Sequence, residues 1–338
     1  MTAKITMKIE RQLEFKYPPQ LNSCLDQSRI KDHKSVILRG TRMHNRKLLV
    51  VLIAASLSLP FIFTPSTYAW WDEGHRYINR AAAEHMPDDM PAFFKAAAAR
   101  LEFLGPEPDR WRDNKELFKA LTEVNAPDHF VDIDNPENFA ALPGDRYQYA
   151  DWLRHQGKDP KDIGYLPYSM LEGYQKVQVL FRMWRDPQNA AVRDQIEQNI
   201  IYYAGVLGHY VGDASNPLHV SIHFNGWSTS FNPEYYTREP LHSRFEGEFV
   251  KGQIKPADFN GMVKTAQKLQ DPFTDIMKYI FESFSHVPTL YRMDKTARWD
   301  AKNTNSESKK FVTARLAAGS QMLANLWYTA WLGSATER

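Results

Sequence analysis

Five stretches of the chain repeat apolar residues every three or four positions, and none alternates them in the two-residue period of a half-buried strand. They run over 74–86, 91–104, 168–184, 192–212 and 309–332. Each is the length of an ordinary core helix. In the fourth, Ile196, Ile200, Ala204, Leu207 and Val211 share a stripe; in the last, Val312, Leu316, Met322, Leu326 and Trp327 form an inward one. The spacing predicts an all-α multi-helix bundle without internal repeats, with 226–240, rich in Asn, Ser, Thr and Pro, as a loop.

The bundle is expected to start at Trp70. Before it, Arg46 and Lys47 precede the apolar run Leu48–Leu59, and Thr67-Tyr68-Ala69 has the form of a small-residue cleavage site. The run stops at Pro60, short for a bilayer span, and carries no basic stop-transfer flank. Residues 43–69 therefore read as a signal peptide cut near Ala69, which exports the chain to the periplasm or beyond. Residues 1–42, polar and unpatterned, read as a disordered or non-native leader, and 70–338 as one functional domain, expected to be a monomer.

Removing residues 1–69 takes away 11 of 42 Lys+Arg and 4 of 40 Asp+Glu, leaving 31 against 36 and a net charge of −5. A basic footprint for nucleic acid is absent, so an anionic substrate must be held by a few local charges or by metal ions. The only cysteine, Cys24, goes with the leader. An exported chain without a disulfide rests on its core and on any metal it binds.

Candidate ligands are concentrated downstream. His209 and Asp213, and His242 and Glu246, each stand four apart, which puts an imidazole and a carboxylate on one helix face. One such pair is more often a surface ion pair than a metal site. With His219 between them, five nitrogen and oxygen donors fall within forty residues, a set suited to zinc. Upstream, Trp111-Arg112-Asp113 and His129-Phe130-Val131-Asp132 add a carboxylate and an imidazole. A cut after Ala69 would free an α-amine on Trp70, able to bind metal with its own carbonyl, and His75 follows to complete that site.

In order and spacing these motifs (an N-terminal Trp, W-x4-H, W-x-D, H-F-x-D, H-x3-D-x5-H, H-x3-E) resemble the trinuclear-zinc superfamily of secreted phospholipases C and single-strand-specific nucleases. The resemblance implies three zinc ions: one held by Asp113, His129, His209 and Asp213, a second by His219, His242 and Glu246, and a third by Trp70 and His75 with Asp213 bridging. It implies phosphodiester hydrolysis by a metal-activated hydroxide, which Asp113 would also orient. The cations then neutralise the phosphodiester that the acidic chain cannot.

Substrate is less sharply marked. The short W-x4-H spacing and the H-F-x-D motif resemble the nucleases, in which Phe130 would stack on a base and Asp132 bond its polar edge. Single-stranded nucleic acid is the leading expectation. Glu246 and Glu73 resemble the phospholipases instead, which keeps phospholipid as the alternative; Asn114 stands where their choline pocket has an aromatic. The nucleases' basic residue three past the W-x-D aspartate falls on Glu116, with Lys115 beside it. A non-catalytic metal-binding protein is a third possibility, but the second set supplies only three ligands, and an open position favours catalysis.

Overall fold

The computed structural model describes residues 70–112, 115–135, 139, 142–227, 235, 241–297, 299, 301–302 and 305–335. The chain falls into two units, Met1–Phe63 and Thr64–Arg338; the first lies wholly outside the described residues. So do the expected leader, the signal peptide, Asp113, and most of the 226–240 loop.

The described residues form helices and no strands. In chain order the principal ones are α1 (Trp71–Glu84), α2 (Ala92–Ala96), α3 (Ala98–Leu104), α4 (Glu107–Arg110), α5 (Lys119–Asn125), α6 (Arg146–His155), α7 (Leu166–Arg185), α8 (Arg193–Ser215), α9 (Pro272–Ser285), α10 (Val287–Ala297) and α11 (Ser306–Gly333). The all-α bundle expected from periodicity is what the chain adopts. The stretch read as one helix over 91–104 is two, because Ala97 closes α2 with an i→i+3 bond to the Phe94 carbonyl. Such a tightened turn leaves the apolar spacing unchanged and so does not announce itself.

Helices α6 and α9 were not signalled by apolar periodicity. Their clearest marks are their caps: Asp145 accepts the amides of Tyr147 and Gln148, and Asp271 those of Phe273 and Thr274. None of the described helices is long and apolar enough to cross a membrane.

Helix α8 packs against α1, α3, α7 and α11. Its first half buries only one stripe, Ile196 and Ile200, but from Ala204 to Ser215 every side is covered. A helix surrounded on all sides ought to be apolar throughout. This one carries His209 and Asp213 in that stretch, both fully buried. Close approach of its neighbours requires small residues: a Cβ at Gly208 would fall 1.9 Å from Asn79 Oδ1, and one at Gly212 would fall 2.8 Å from His75 Nδ1.

Candidate metal centre

His209 and Asp213 lie one turn apart on α8, with Nε2 3.4 Å from Oδ2. His75 comes from α1 and stacks on the His209 ring at 3.9 Å, its Nε2 3.4 Å from Asp213 Oδ1. His129 ends the 3₁₀ turn Ala126–His129 and brings Nδ1 to 3.1 Å from Asp213 Oδ2 and 2.9 Å from His209 Nε2. Asp213 thus turns one oxygen toward His129 and His209 and the other toward His75.

The second pair sits on a helix that begins as α at Leu241–Ser243, widens to a π-helix over Arg244–Phe249 and returns to α at Val250–Gln253. Such wide turns are common at functional sites. His242 Nε2 stands 2.8 Å from Glu246 Oε2 and 3.0 Å from His219 Nε2. His219 closes the short turn Pro217–His219, which Asn216 caps through the Leu218 amide. The Asn216 side-chain amide also donates to Glu246 Oε2 at 3.0 Å, tying the turn to the π-helix.

Trp70 is fully buried beside these residues. Its indole Nε1 donates to the Gly212 carbonyl and to Ser215 Oγ, and its backbone nitrogen lies 3.3 Å from Glu246 Oε2. Its φ of 43° is left-handed, a conformation that bulky residues seldom adopt.

Of the residues singled out by sequence, His75, His129, His209, Asp213, His219, His242, Glu246 and the Trp70 backbone converge. Phe130 and Asp132 lie one and three residues beyond His129, and both are partly exposed. Besides Asp213, a second described carboxylate accompanies His129 and His209: Asp109, which the sequence reading did not single out. Its Oδ1 is 3.8 Å from His129 Nδ1 and 3.7 Å from His209 Nε2. The described donors fall into three groups, His75/His209/Asp213, Asp109/His129/His209 and His219/His242/Glu246, and within each the ligand atoms lie within 4.8 Å of one another.

Asp113 lies outside the described residues, and Asp109 is the carboxylate found at this position among them. Counted from Asp109, the basic residue three positions on is Arg112, not Glu116. Arg112 Nη2 pairs with Asp109 Oδ1, while its Nε is buried without a hydrogen-bond partner among the described residues. Burial chiefly, and the Arg112 charge in addition, lower the pKa values of His129, His209 and His242. The spacing D-x-x-R in Asp109-Arg110-Trp111-Arg112 was the signal available.

The donor set fits divalent metal on its own chemistry. A carbonyl only accepts, so His209 Nδ1–H donates to Gly105 O at 2.9 Å and His219 Nδ1–H to His129 O at 2.7 Å. Both rings therefore turn a bare Nε2 lone pair inward, the arrangement typical of metal-bound histidine. Asp109 Oδ2, Asp213 Oδ1 and Glu246 Oε1 are buried with no hydrogen-bond partner among the described residues, a costly condition unless a cation meets them. Burial pushes the carboxyls of Asp109 and Asp213 up and that of Glu246 to about 7, and holds His129 and His209 well below the usual imidazole range and His242 at about 4. Neutral imidazoles beside carboxylates in want of a positive charge are what a metal requires.

A family model described as S1/P1 nuclease matches residues 70–338. The chain belongs to the S1/P1 nuclease family. That family is one of zinc-dependent enzymes. Two solved structures it resembles are the alpha toxin of Clostridium absonum, at 12% identity and TM-score 0.40 over 78% of this chain and 64% of the toxin, and that of Clostridium perfringens from avian strain SWCP, at 14% and 0.36 over 76% and 62%. The chain thus spans less than two thirds of either toxin. A search among curated proteins finds no match.

Proposed function

We propose that this protein is an exported, zinc-dependent nuclease that hydrolyses single-stranded nucleic acid, with Asp109, His129, His209 and Asp213 as ligands of one ion, His219, His242 and Glu246 of a second, and the Trp70 terminus with His75 and Asp213 of a third. Bound zinc would acidify water into a nucleophile and draw charge from the departing oxygen. The chain's own residues do the rest. Arg112, paired with Asp109 beside the cluster, would supply a local cation for the phosphodiester.

The observation that carries the choice of substrate is the extended run after His129. Val131 donates to the His219 carbonyl and Asp132 to that of Ile163, which fixes the backbone. Val131 and Ile133 are fully buried, so the alternation of an extended chain sends Phe130 and Asp132 together to the opposite, partly exposed side. An aromatic face and a carboxyl beside a metal ligand suit a base and its polar edge. Burial, with Asp134 and Asp162 nearby, raises the Asp132 carboxyl to about 7, so near neutrality it can donate or accept. The phospholipase reading is less well served, since Glu73, its candidate for a choline ammonium, pairs with Lys251 at 3.6 Å.

The direct test is turnover of single-stranded DNA and RNA beside phosphatidylcholine by the zinc-loaded chain starting at Trp70. Release of nucleotides with intact lipid, abolished by chelation, is expected; lipid cleavage without nucleotide release sinks the proposal. Phe130→Ala should raise KM on nucleic acid about 5- to 100-fold, in line with base stacking, and leave zinc content unchanged. An unaltered KM removes Phe130 from the base site.

A further inference from the structure

Asn216 stands midway between two ligands of different groups, three residues after Asp213 and three before His219. Helix α8 stops there because Pro217 follows, and the residue before a proline is pushed out of helical geometry. Asn216 accordingly takes φ −85° and ψ 117°. Its backbone N–H donates to the Asp213 carbonyl at 2.9 Å, and its own carbonyl accepts the His219 amide at 3.0 Å.

The side chain makes two further bonds, both buried. Its Oδ1 accepts the Leu218 amide at 3.0 Å, and its Nδ2 donates to Glu246 Oε2 at 3.0 Å. The two ends cannot be exchanged: a backbone N–H only donates and must meet the oxygen, which leaves the NH2 for the carboxylate. Capping the Pro217–His219 turn does not by itself call for asparagine, since serine, threonine or aspartate caps as well. What asparagine adds is an N–H long enough to reach Glu246.

That N–H supplies orientation without charge. Glu246 Oε2 faces His242 Nε2 at 2.8 Å and His219 Nε2 at 3.5 Å, and among the described residues no lysine or arginine pairs with it. A cationic side chain there would satisfy the carboxylate in place of a metal. A neutral donor fixes its plane and leaves its charge for the ion. Asn216 and Glu246 are both fully buried, so water does not compete for the bond.

We infer that Asn216 is a positioning residue for the second ion: one side chain shapes the turn that carries His219 and aims the Glu246 carboxylate across it. The inference rests on the metal-binding part of the proposed function and deepens it, whatever the substrate.

The test measures zinc itself. The purified protein, stripped of metal and titrated with zinc against a chromophoric chelator, should bind one ion about 10- to 100-fold more weakly as Asn216→Ser, which keeps a capping oxygen but cannot reach Glu246. Its melting temperature without zinc should equal the parent's. Asn216→Ala should match Asn216→Ser in zinc affinity and, having lost the cap as well, melt lower without zinc. Asn216→Gln, which keeps a carboxamide, should bind more tightly than Asn216→Ser. If Asn216→Ala does not fold, the other two variants decide alone. Parent affinity in Asn216→Ser, no gain in Asn216→Gln, or affinities that fall only in step with melting temperature overturn the inference and reduce Asn216 to a cap, with the metal reading left standing. A parent that binds no zinc overturns the metal reading, and the inference falls with it.

Discussion

Asp109→Asn is expected to lower kcat by more than about 100-fold and to release one zinc ion, whereas Asp113→Asn should keep the full metal complement. Loss of a residue that merely supports a ligand already costs 10- to 100-fold in such sites, so loss of a ligand should cost more. Asp109 is almost fully buried, its Oδ1 faces both His129 and His209, and its Oδ2 has no other use among the described residues. Metal content by mass or emission spectroscopy, measured with turnover on both variants, checks this. If Asp113→Asn were the one to shed an ion, the register of the first site would return to the W-x-D aspartate.

An equally large effect is expected from the amino terminus. A chain beginning at Trp70 should be active, while the same chain preceded by one extra alanine should lose more than about 100-fold in turnover and bind one ion fewer. An amide nitrogen has no lone pair to offer, but a free α-amine, with a pKa near 8, does. The Trp70 nitrogen already lies 3.3 Å from Glu246 Oε2 and its indole is anchored on α8, so the terminus is delivered to the cluster by buried contacts. Equal zinc content and turnover in the two chains would remove the terminus from the ligand set.

The parts of the site that could be read in advance are those set by local geometry. His209 and Asp213, or His242 and Glu246, are four apart on helices, and helical pitch alone faces each pair one way. That two such pairs, His219 and His129 meet is tertiary, and motif order stood in for it. Asp109 shows where local rules stop. Asp109 and Asp113 are themselves four apart, so periodicity cannot separate them, and the choice depends on how α4 and the turn after it pass α8. The fold was legible where long helices bury a continuous stripe, as in α8 and α11. It was not where Tyr149 and Trp152 of α6 mix with charged neighbours, nor at Ala97, where one tightened turn splits a helix.

The left-handed tryptophan bears on maturation. A φ torsion exists only because a peptide bond precedes the residue, and holding a bulky side chain in that region costs about 1–3 kcal/mol. Trp70, at 43°, carries such a torsion while joined to Ala69. Hydrolysis of that bond abolishes the torsion itself, since a first residue has none to define. A cut there would relieve one of two adjacent left-handed torsions and leave the other, Trp71 at 40°, in place, so trimming would run downhill in backbone energy by part of the strain stored at this corner.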